Sequence, residues 1–229
     1  MAAGSIRSRK DSSESIKHIN LSLPLTISSE LLKLEKPTSL IGFGSFAEYG
    51  GYTLDSYITK FISPKPITEY AVSKSLVFEK LYDVQQRSPS FRYTHLTLSS
   101  VFGGREHSSR LIPKIIHSLV ANNPIVISSN PARRDYVFSL DIVNLIESLI
   151  HSNYYPNRLI CASSSAFSNL EVFRILSDLL PHSDPYSLLS TTSLNSTPTL
   201  IGDSKEFQHL LSRNLVTLPE IDLSMYTVS

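Results

Sequence analysis

Tryptophan is absent from this 229-residue chain, and cysteine occurs once, as Cys161. One cysteine excludes an internal disulfide and leaves no material for a cysteine-based metal cluster, so a reducing cytoplasm is the expected setting. Charge of one sign is missing as well: 21 Lys and Arg oppose 20 Asp and Glu, for a formal net charge of +1. Such a chain offers no bulk field to recruit nucleic acid or a membrane surface. No apolar run approaches the roughly 20 residues that span a bilayer. The opening "MAAGSIRSRKDSSES" lacks the apolar centre of a secretory signal. The remainder is ordinary for a globular protein, at 41% hydrophobic and 18% charged residues, long enough for one generous domain or two small ones. Cys161, inside the apolar run "RLICA", reads as a buried structural thiol rather than a nucleophile.

Strand-like and helix-like segments alternate, which predicts α/β architecture. Short apolar strands are expected at 39–43, 93–98, 124–129 and 157–162. Helical periodicity marks 22–36, 70–87, 110–123, 140–152 and 169–180, the last capped by Ser168 or Asn169. Residues 181–198, rich in Ser, Thr and Pro, read as an extended loop, and the first 15 as a mobile arm. No internal repeat is evident.

The stretch "SLIGFGSFAEYGG" (39–51) poses the main question. Gly42-Phe-Gly44-Ser-Phe-Ala47 fits the fingerprint G-x-G-x-x-G/A that holds a dinucleotide pyrophosphate on a helix N-terminus. The following "EYGGYTLDSYITKFISPKP", with Gly50-Gly51, Pro64 and Pro66, does not support a long helix. A nucleophile elbow would need glycine two residues before Ser45, where Phe43 stands, and a hydrolase would also need a positioned His and acid. The better reading is a strand that delivers Ser45 to a site. Tyr70 and Lys74 then follow at i, i+4 spacing on one helical face. A lysine cation beside a phenol favours the phenolate and lowers a pKa otherwise near 10. Ser45 could hold the same substrate oxygen. Alone, Y-x-x-x-K is a pattern many helices carry.

These residues resemble the extended short-chain dehydrogenase/reductase family, in its nucleotide-sugar epimerase/dehydratase branch. Its "S-x-x-x-Y-G" corresponds to Ser45–Gly50 and its "P-x-x-x-Y-x-x-x-K" to Pro66–Lys74. "LTLSSVFGGREHSSRLIPKII" is similar to the family strand "L-R-x-x-N-V-Y-G-P-G" with its loop and helix, and "ARRDYVFSLDIVNLI" to "x-R-D-F-I-x-V-x-D-V-a". "INLSLPLTISSELLKLEK", with Asn20, resembles the helix before the serine strand, and "MAAG" the end of the family's fourth strand. The likeness runs in order from Ala2 to about Arg213.

The resemblance implies that Tyr70 exchanges a proton with a sugar oxygen, that Ser45 steadies that oxygen, and that Lys74 holds the nicotinamide ribose and biases Tyr70 toward phenolate. It places Ala3 and Ser99 beside Tyr70 and Lys74 at an NAD or NADP cofactor, and Ser100 and Arg134 at the substrate, with Arg134 on the diphosphate. Read from the residues alone, Arg134 and Asp135 could instead form a surface ion pair, and Asp141 or Ser139 could cap the next helix. Three departures stand out. Phe46-Ala47 replaces the Asp-Glu of 4,6-dehydratases, which favours a C4-epimerase or 4-ketoreductase. Thr97 and Ser100 stand where the family has Arg and Asn. The chain begins where a fourth strand ends, so roughly 60–70 residues of the family pattern, with its glycine fingerprint, are expected to be missing.

The resulting expectation is a partial Rossmann-like parallel sheet lacking its first strands, with a small C-terminal substrate-binding part. Residues 1–105 would form the incomplete NAD(P)-binding part and 106–229 the substrate part, with 135–165 returning to the sheet. Cofactor binding would be impaired without the pyrophosphate-binding helix terminus. The functional expectation is a cytoplasmic, NAD(P)-dependent enzyme of nucleotide-sugar metabolism in surface polysaccharide or deoxysugar synthesis, possible as a homodimer. The alternative is an inactive remnant or interaction module of the same fold.

Overall fold

The computed structural model describes residues 13–180, 184–193, 197–211 and 214–226. In chain order the elements begin with α1 (Ser13–Lys17), a π-helical segment His18–Ser22, α2 (Leu23–Leu32), β1 (Thr38–Ser45), β2 (Ser56–Ile58) and α3 (Glu69–Arg87). Then come β3 (Phe91–Leu98), β4 (Ser100–Phe102), α4 (Leu111–Ala121), β5 (Ile125–Ser128), β6 (Arg134–Phe138), α5 (Ser139–Ser152) and β7 (Arg158–Cys161). The last are β8 (Ala166–Phe167), α6 (Asn169–Leu179), β9 (Leu189–Thr192), β10 (Leu200–Gly202) and α7 (Lys205–Leu210). The architecture is α/β with parallel sheets, and the described residues fall into two compact units. No helix among them is long and apolar enough to cross a membrane.

The first unit takes the described residues up to Tyr52, with Thr59–Leu98 and Ile146–Cys161. Its sheet is parallel, in the order β1-β3-β7. Strands buried on both faces are expected to be nearly continuously apolar, and β7 is buried at all four positions. α3 starts where Thr68, in extended backbone, accepts the Ala71 N–H at 3.2 Å, and it carries Glu69 in its first turn and Arg87 in its last. It ends at Ser88, whose extended conformation suits a residue preceding proline. Val77 and Leu81 of α3 are buried against Phe91 and Tyr93 of β3. Cys161 is fully buried, which pushes its thiol upward and leaves it inert.

Gly42 and Gly44 sit inside β1, which continues to Ser45; the fingerprint-like letters therefore belong to a strand. Their small size has another cause. A Cβ on Gly42 would lie 2.5 Å from Tyr93 Oη, and one on Gly44 would meet His95 Nε2 and lie 2.5 Å from Glu48 Oε1. The register pairs Gly42 with His95 and Leu40 with Tyr93. The two glycines thus admit large polar side chains from the neighbouring strand.

The second unit takes Thr53–Ile58, Ser99–Leu145 and the described residues from Ala162 onward. One sheet runs β2-β10-β6-β4, with β8 antiparallel to β6, and β5 pairs with β9 in parallel. The i, i+3, i+4, i+7 set Ile112, Ile115, Ile116 and Leu119 packs α4 against Phe102, Phe138, Val172 and Phe173. α6 is capped by Ser168, reciprocally with Glu171, as one of the two expected caps.

Three expectations need revision. β9 forms within the stretch expected to be an extended loop; its Leu-Ser-Thr-Thr sequence is largely exposed and shows no apolar period, so β5 supplies the pairing that periodicity could not reveal. Residues 13–15, expected to end a mobile arm, belong to the helix Ser13–Lys17, and residues 1–12 lie outside the described ones. Asp135 is 1% exposed, so it belongs to no surface ion pair. Its carboxylate instead gathers the N–H groups of Ser163 and Gly202 and the Ser163 hydroxyl, joining β6 to β10 and to the chain leaving β7. Asp141 accepts the Val216 N–H at 3.0 Å.

Two outcomes follow from this packing. Overpacking costs about 1–3 kcal/mol, so Gly44→Ala is expected to lower the unfolding free energy by that amount in urea titration. Unchanged stability would mean that the space beside Gly44 is not filled as described. For Asp135, burial pushes the carboxyl up from 3.8 to about 6 against its N–H donors. A group with a raised folded value holds its proton more tightly when folded, so folding loses stability as pH rises through this window and is unaffected below it. The difference in unfolding free energy between wild type and Asp135→Asn should therefore move by roughly 2 kcal/mol in the variant's favour between about pH 4 and about pH 7. A difference that does not vary with pH would overturn the assignment.

Candidate active site

β1 ends on Ser45, and the chain turns at once into a 3-10 helix, Phe46–Tyr49. Ser45 caps this turn from extended backbone. Its Oγ accepts the N–H of Ala47 at 3.2 Å and the N–H of Glu48, while Glu48 Oε1 accepts the Ser45 N–H at 2.8 Å. This is a reciprocal capping box. On α3, Tyr70, Lys74 and Phe78 recur every four residues along one face.

That face meets β1. The Ser45 hydroxyl acts on the Tyr70 phenol and lowers its value. Lys74 Nζ donates to the Phe43 carbonyl at 2.9 Å and lies 5.7 Å from the centroid of the Tyr70 ring. Ser45, Tyr70 and Lys74 are therefore brought together within one unit. The electrostatics differ from the expectation that Lys74 lowers the phenol. Burial pushes the Tyr70 phenol above its ordinary value, the Ser45 hydroxyl pulls it down, and Glu48 pushes it up. The Lys74 ammonium is engaged by the Phe43 carbonyl and the ring face; burial lowers its own value, and Glu48 raises it.

Beneath these residues lies a polar network that the sequence reading missed. Glu48 and His95 are both 0% exposed, with Glu48 Oε1 and His95 Nε2 3.0 Å apart. Tyr93 Oη lies 2.8 Å from His95 Nδ1. Arg158, paired with His95 in the β3–β7 register, brings its guanidinium to 3.7 Å from Glu48 Oε2, donates to Tyr49 Oη at 3.1 Å and stacks 3.9 Å from the Phe78 centroid. Burial pushes the Glu48 carboxyl up, but His95, the Ser45 N–H and Arg158 outweigh it and hold it below the usual range. Burial lowers the His95 value and Glu48 raises it. An ionised Glu48 has no proton, so Nε2–H donates to it, and the neutral ring that burial favours accepts from Tyr93 at Nδ1. Ser45, His95 and Glu48 are the residue types of a nucleophilic triad. Both imidazole nitrogens are nevertheless committed, so no base remains for the Ser45 hydroxyl, and the hydrolase reading fails.

The S-x-x-E spacing of Ser45 and Glu48 could have revealed the capping box. Nothing in "FRYTHLTL" or "NRLICA" announces that His95 and Arg158 converge on it, because that convergence comes from strand register.

Among the remaining candidates, Ser99 precedes β4 and Ser100 opens it, both in the second unit, and the Ser99 hydroxyl oxygen has no hydrogen-bond partner among the described residues. Arg134 is exposed at the start of β6, beside the strand that carries Ser100. Burial raises the nearby Tyr136 phenol, and the Arg134 and Arg110 guanidiniums lower it. Ala3 lies outside the described residues.

A nicotinamide ribose suits the donors present. In the first unit, Lys74 makes one hydrogen bond to a described residue, leaving donors for ribose hydroxyls. Gly42 and Gly44 do not suit a pyrophosphate, since a four-residue 3-10 turn, not a long helix, follows them.

A search of curated proteins finds no match. Among solved structures, dTDP-glucose 4,6-dehydratase from Bacillus anthracis in complex with NAD matches with a TM-score of 0.78 at 15% identity, over 93% of this chain and 69% of that one. RMD from Pseudomonas aeruginosa, complexed with NADPH, matches at 0.79 and 13% identity, over 96% and 76%. UDP-N-acetylglucosamine 4-epimerase from Methanobrevibacter ruminantium matches at 0.77 and 19% identity, over 96% and 71%. At these identities the likeness establishes a Rossmann-like α/β fold. A model described as the NAD dependent epimerase/dehydratase family matches residues 1–158, more than half of the sequence. By that match, the chain belongs to the NAD dependent epimerase/dehydratase family.

Proposed function

We propose that this chain is an NAD(P)-dependent enzyme acting on a nucleotide-activated sugar, as a C4-epimerase or a 4-ketoreductase. The observation that supports this most is the placement of Lys74 Nζ between the Phe43 carbonyl of β1 and the Tyr70 ring, with Ser45 at the tip of the same strand. Tyr70 Oη takes a proton from a sugar hydroxyl or returns one to a keto oxygen. Ser45 orients that oxygen by hydrogen bonding. Lys74 holds the nicotinamide ribose, with Ser99 as a further hydroxyl contact. The nicotinamide, when bound, supplies hydride transfer. Arg134 presents a planar fork of donors to the diphosphate, and Ser100 lines the sugar side.

Elimination of water asks for a second acid/base beside the hydroxyl residue. Phe46 and Ala47 occupy the two positions after Ser45, and neither side chain can carry a proton. Redox inversion or reduction at one carbon needs only the groups already named. The products fit surface-polysaccharide or deoxysugar synthesis.

The test is a panel of UDP-, dTDP- and GDP-linked hexoses and 4-keto sugars, followed by nicotinamide absorbance and by NMR of the sugar. Turnover is expected with at least one of them. Tyr70→Phe should lower kcat by about 10²–10⁴-fold. Activity that survives in Tyr70→Phe would remove Tyr70 from the chemistry, and inertness toward the whole panel would reject the substrate class.

A further inference from the structure

The second unit carries a loop that its apolar core does not hold. Residues 103–110, Gly-Gly-Arg-Glu-His-Ser-Ser-Arg, join β4 to α4 and contain no apolar side chain. Burial of apolar surface, the main force that fixes a segment in place, is therefore closed to them. Arg105 stands in the left-handed region at φ 65°, a conformation that persists only while its surroundings hold it. Polar contacts do that holding. Within the loop, His107 Nδ1 lies 2.8 Å from Ser109 Oγ, and the Arg110 N–H donates to the His107 carbonyl at 2.9 Å. Arg110 Nε donates to Glu106 Oε2 at 2.7 Å. These bonds travel with the loop.

Other bonds lead outward. Arg110 Nη2 donates to the Val101 carbonyl at 2.9 Å. Tyr226 Oη donates to Glu106 Oε1 at 2.8 Å and accepts the Gly103 N–H at 3.0 Å. Burial and the Glu106 carboxylate push this phenol upward, so it keeps the proton it donates. The backbones also approach closely, since a Cβ on Gly104 would lie 2.9 Å from the Met225 carbonyl oxygen. Tyr226 itself is well seated. It belongs to a stretch whose Leu218 and Ile221 are buried and whose Leu223, Met225 and Tyr226 pack on the core of the second unit. One side of the contact is fixed by apolar packing and the other is not, so the loop is the side that moves. We propose that residues 103–110 form a lid, and that the Tyr226 hydroxyl is the latch that holds it closed. A latch of two hydrogen bonds, one of them to a carboxylate, is weak enough for the open form to be populated. β4 carries Ser100 and runs straight into the lid, so a substrate role for the lid rests on the reading of Ser100 at the sugar.

Tyr226→Phe removes the hydroxyl and leaves the ring packed on the core. Native-state hydrogen exchange and brief trypsin digestion of the ligand-free chain read the opening. In the variant, exchange across 103–110 and cleavage after Arg105 should both rise about tenfold to a hundredfold. Exchange in α4 and β6 should stay as in the wild type, and the melting temperature should hold. If Tyr226→Phe fails to fold, Glu106→Ala removes the other side of the latch without touching the segment that carries Tyr226, and it should give the same local rise. Unchanged exchange across 103–110 would overturn the latch. So would a rise shared equally by α4 and β6, which would make Tyr226 a support of the fold. UDP, dTDP and GDP, added singly, probe what the lid covers. At least one should slow exchange across 103–110 in the wild type, and no slowing by any of them would overturn its substrate role. Inertness of the wild type toward the nucleotide-sugar panel would strike the proposed reaction instead, and exchange without ligand would still decide the latch.

Discussion

The Glu48 carboxylate and the His95 imidazole meet 3.0 Å apart with no exposed surface on either. Such a contact constrains everything around it, because an uncompensated buried charge is far more costly than a lost contact. Arg158 must reach Glu48 from β7, Tyr93 must supply His95 Nδ1, and β1 must give way to both rings. That demand accounts for glycine at two alternate positions of a strand that otherwise reads Leu-Ile-Phe. It also accounts for polar side chains in strands whose parallel pairing would favour apolar ones.

α3 converts this buried arrangement into a site. One of its faces carries Tyr70, Lys74 and Phe78, and each meets a different layer. Phe78 lies against His95 and Arg158, Lys74 against the Phe43 carbonyl, and Tyr70 against the Ser45 hydroxyl at the strand tip. The helix register that packs the core therefore also sets the distance between the phenol and the serine. In the described residues Ser45, and not Lys74, is the group that draws the phenol value down. The ammonium is left facing a carbonyl, with donors available to a ribose.

Much of this was legible in the sequence. The i, i+4 spacing of Tyr70 and Lys74 placed both on one helix face, and the glycines and prolines after Ala47 excluded a dinucleotide helix there. Helices with a clear apolar period, such as α4 with Ile112, Ile115, Ile116 and Leu119, needed no tertiary information. The glycine roles did not show, because their cause lies in Tyr93 and His95, some fifty residues away in the chain. β9 was hidden for a related reason: a strand with three exposed residues in four carries no pattern until its partner is known. A surface pair stayed open for Asp135 as an alternative, since the N–H groups of Ser163 and Gly202 that it gathers have no signature in side-chain letters.

The position of a few protons decides whether the buried carboxylate carries the charge that constrains its surroundings. Neutron diffraction from deuterium-exchanged crystals of the chain would locate them. The expected result is a bare Glu48 carboxylate, a deuteron on His95 Nε2 alone, and the Tyr93 deuteron directed at His95 Nδ1. A deuteron on Glu48, or on His95 Nδ1, would contradict the account at its centre.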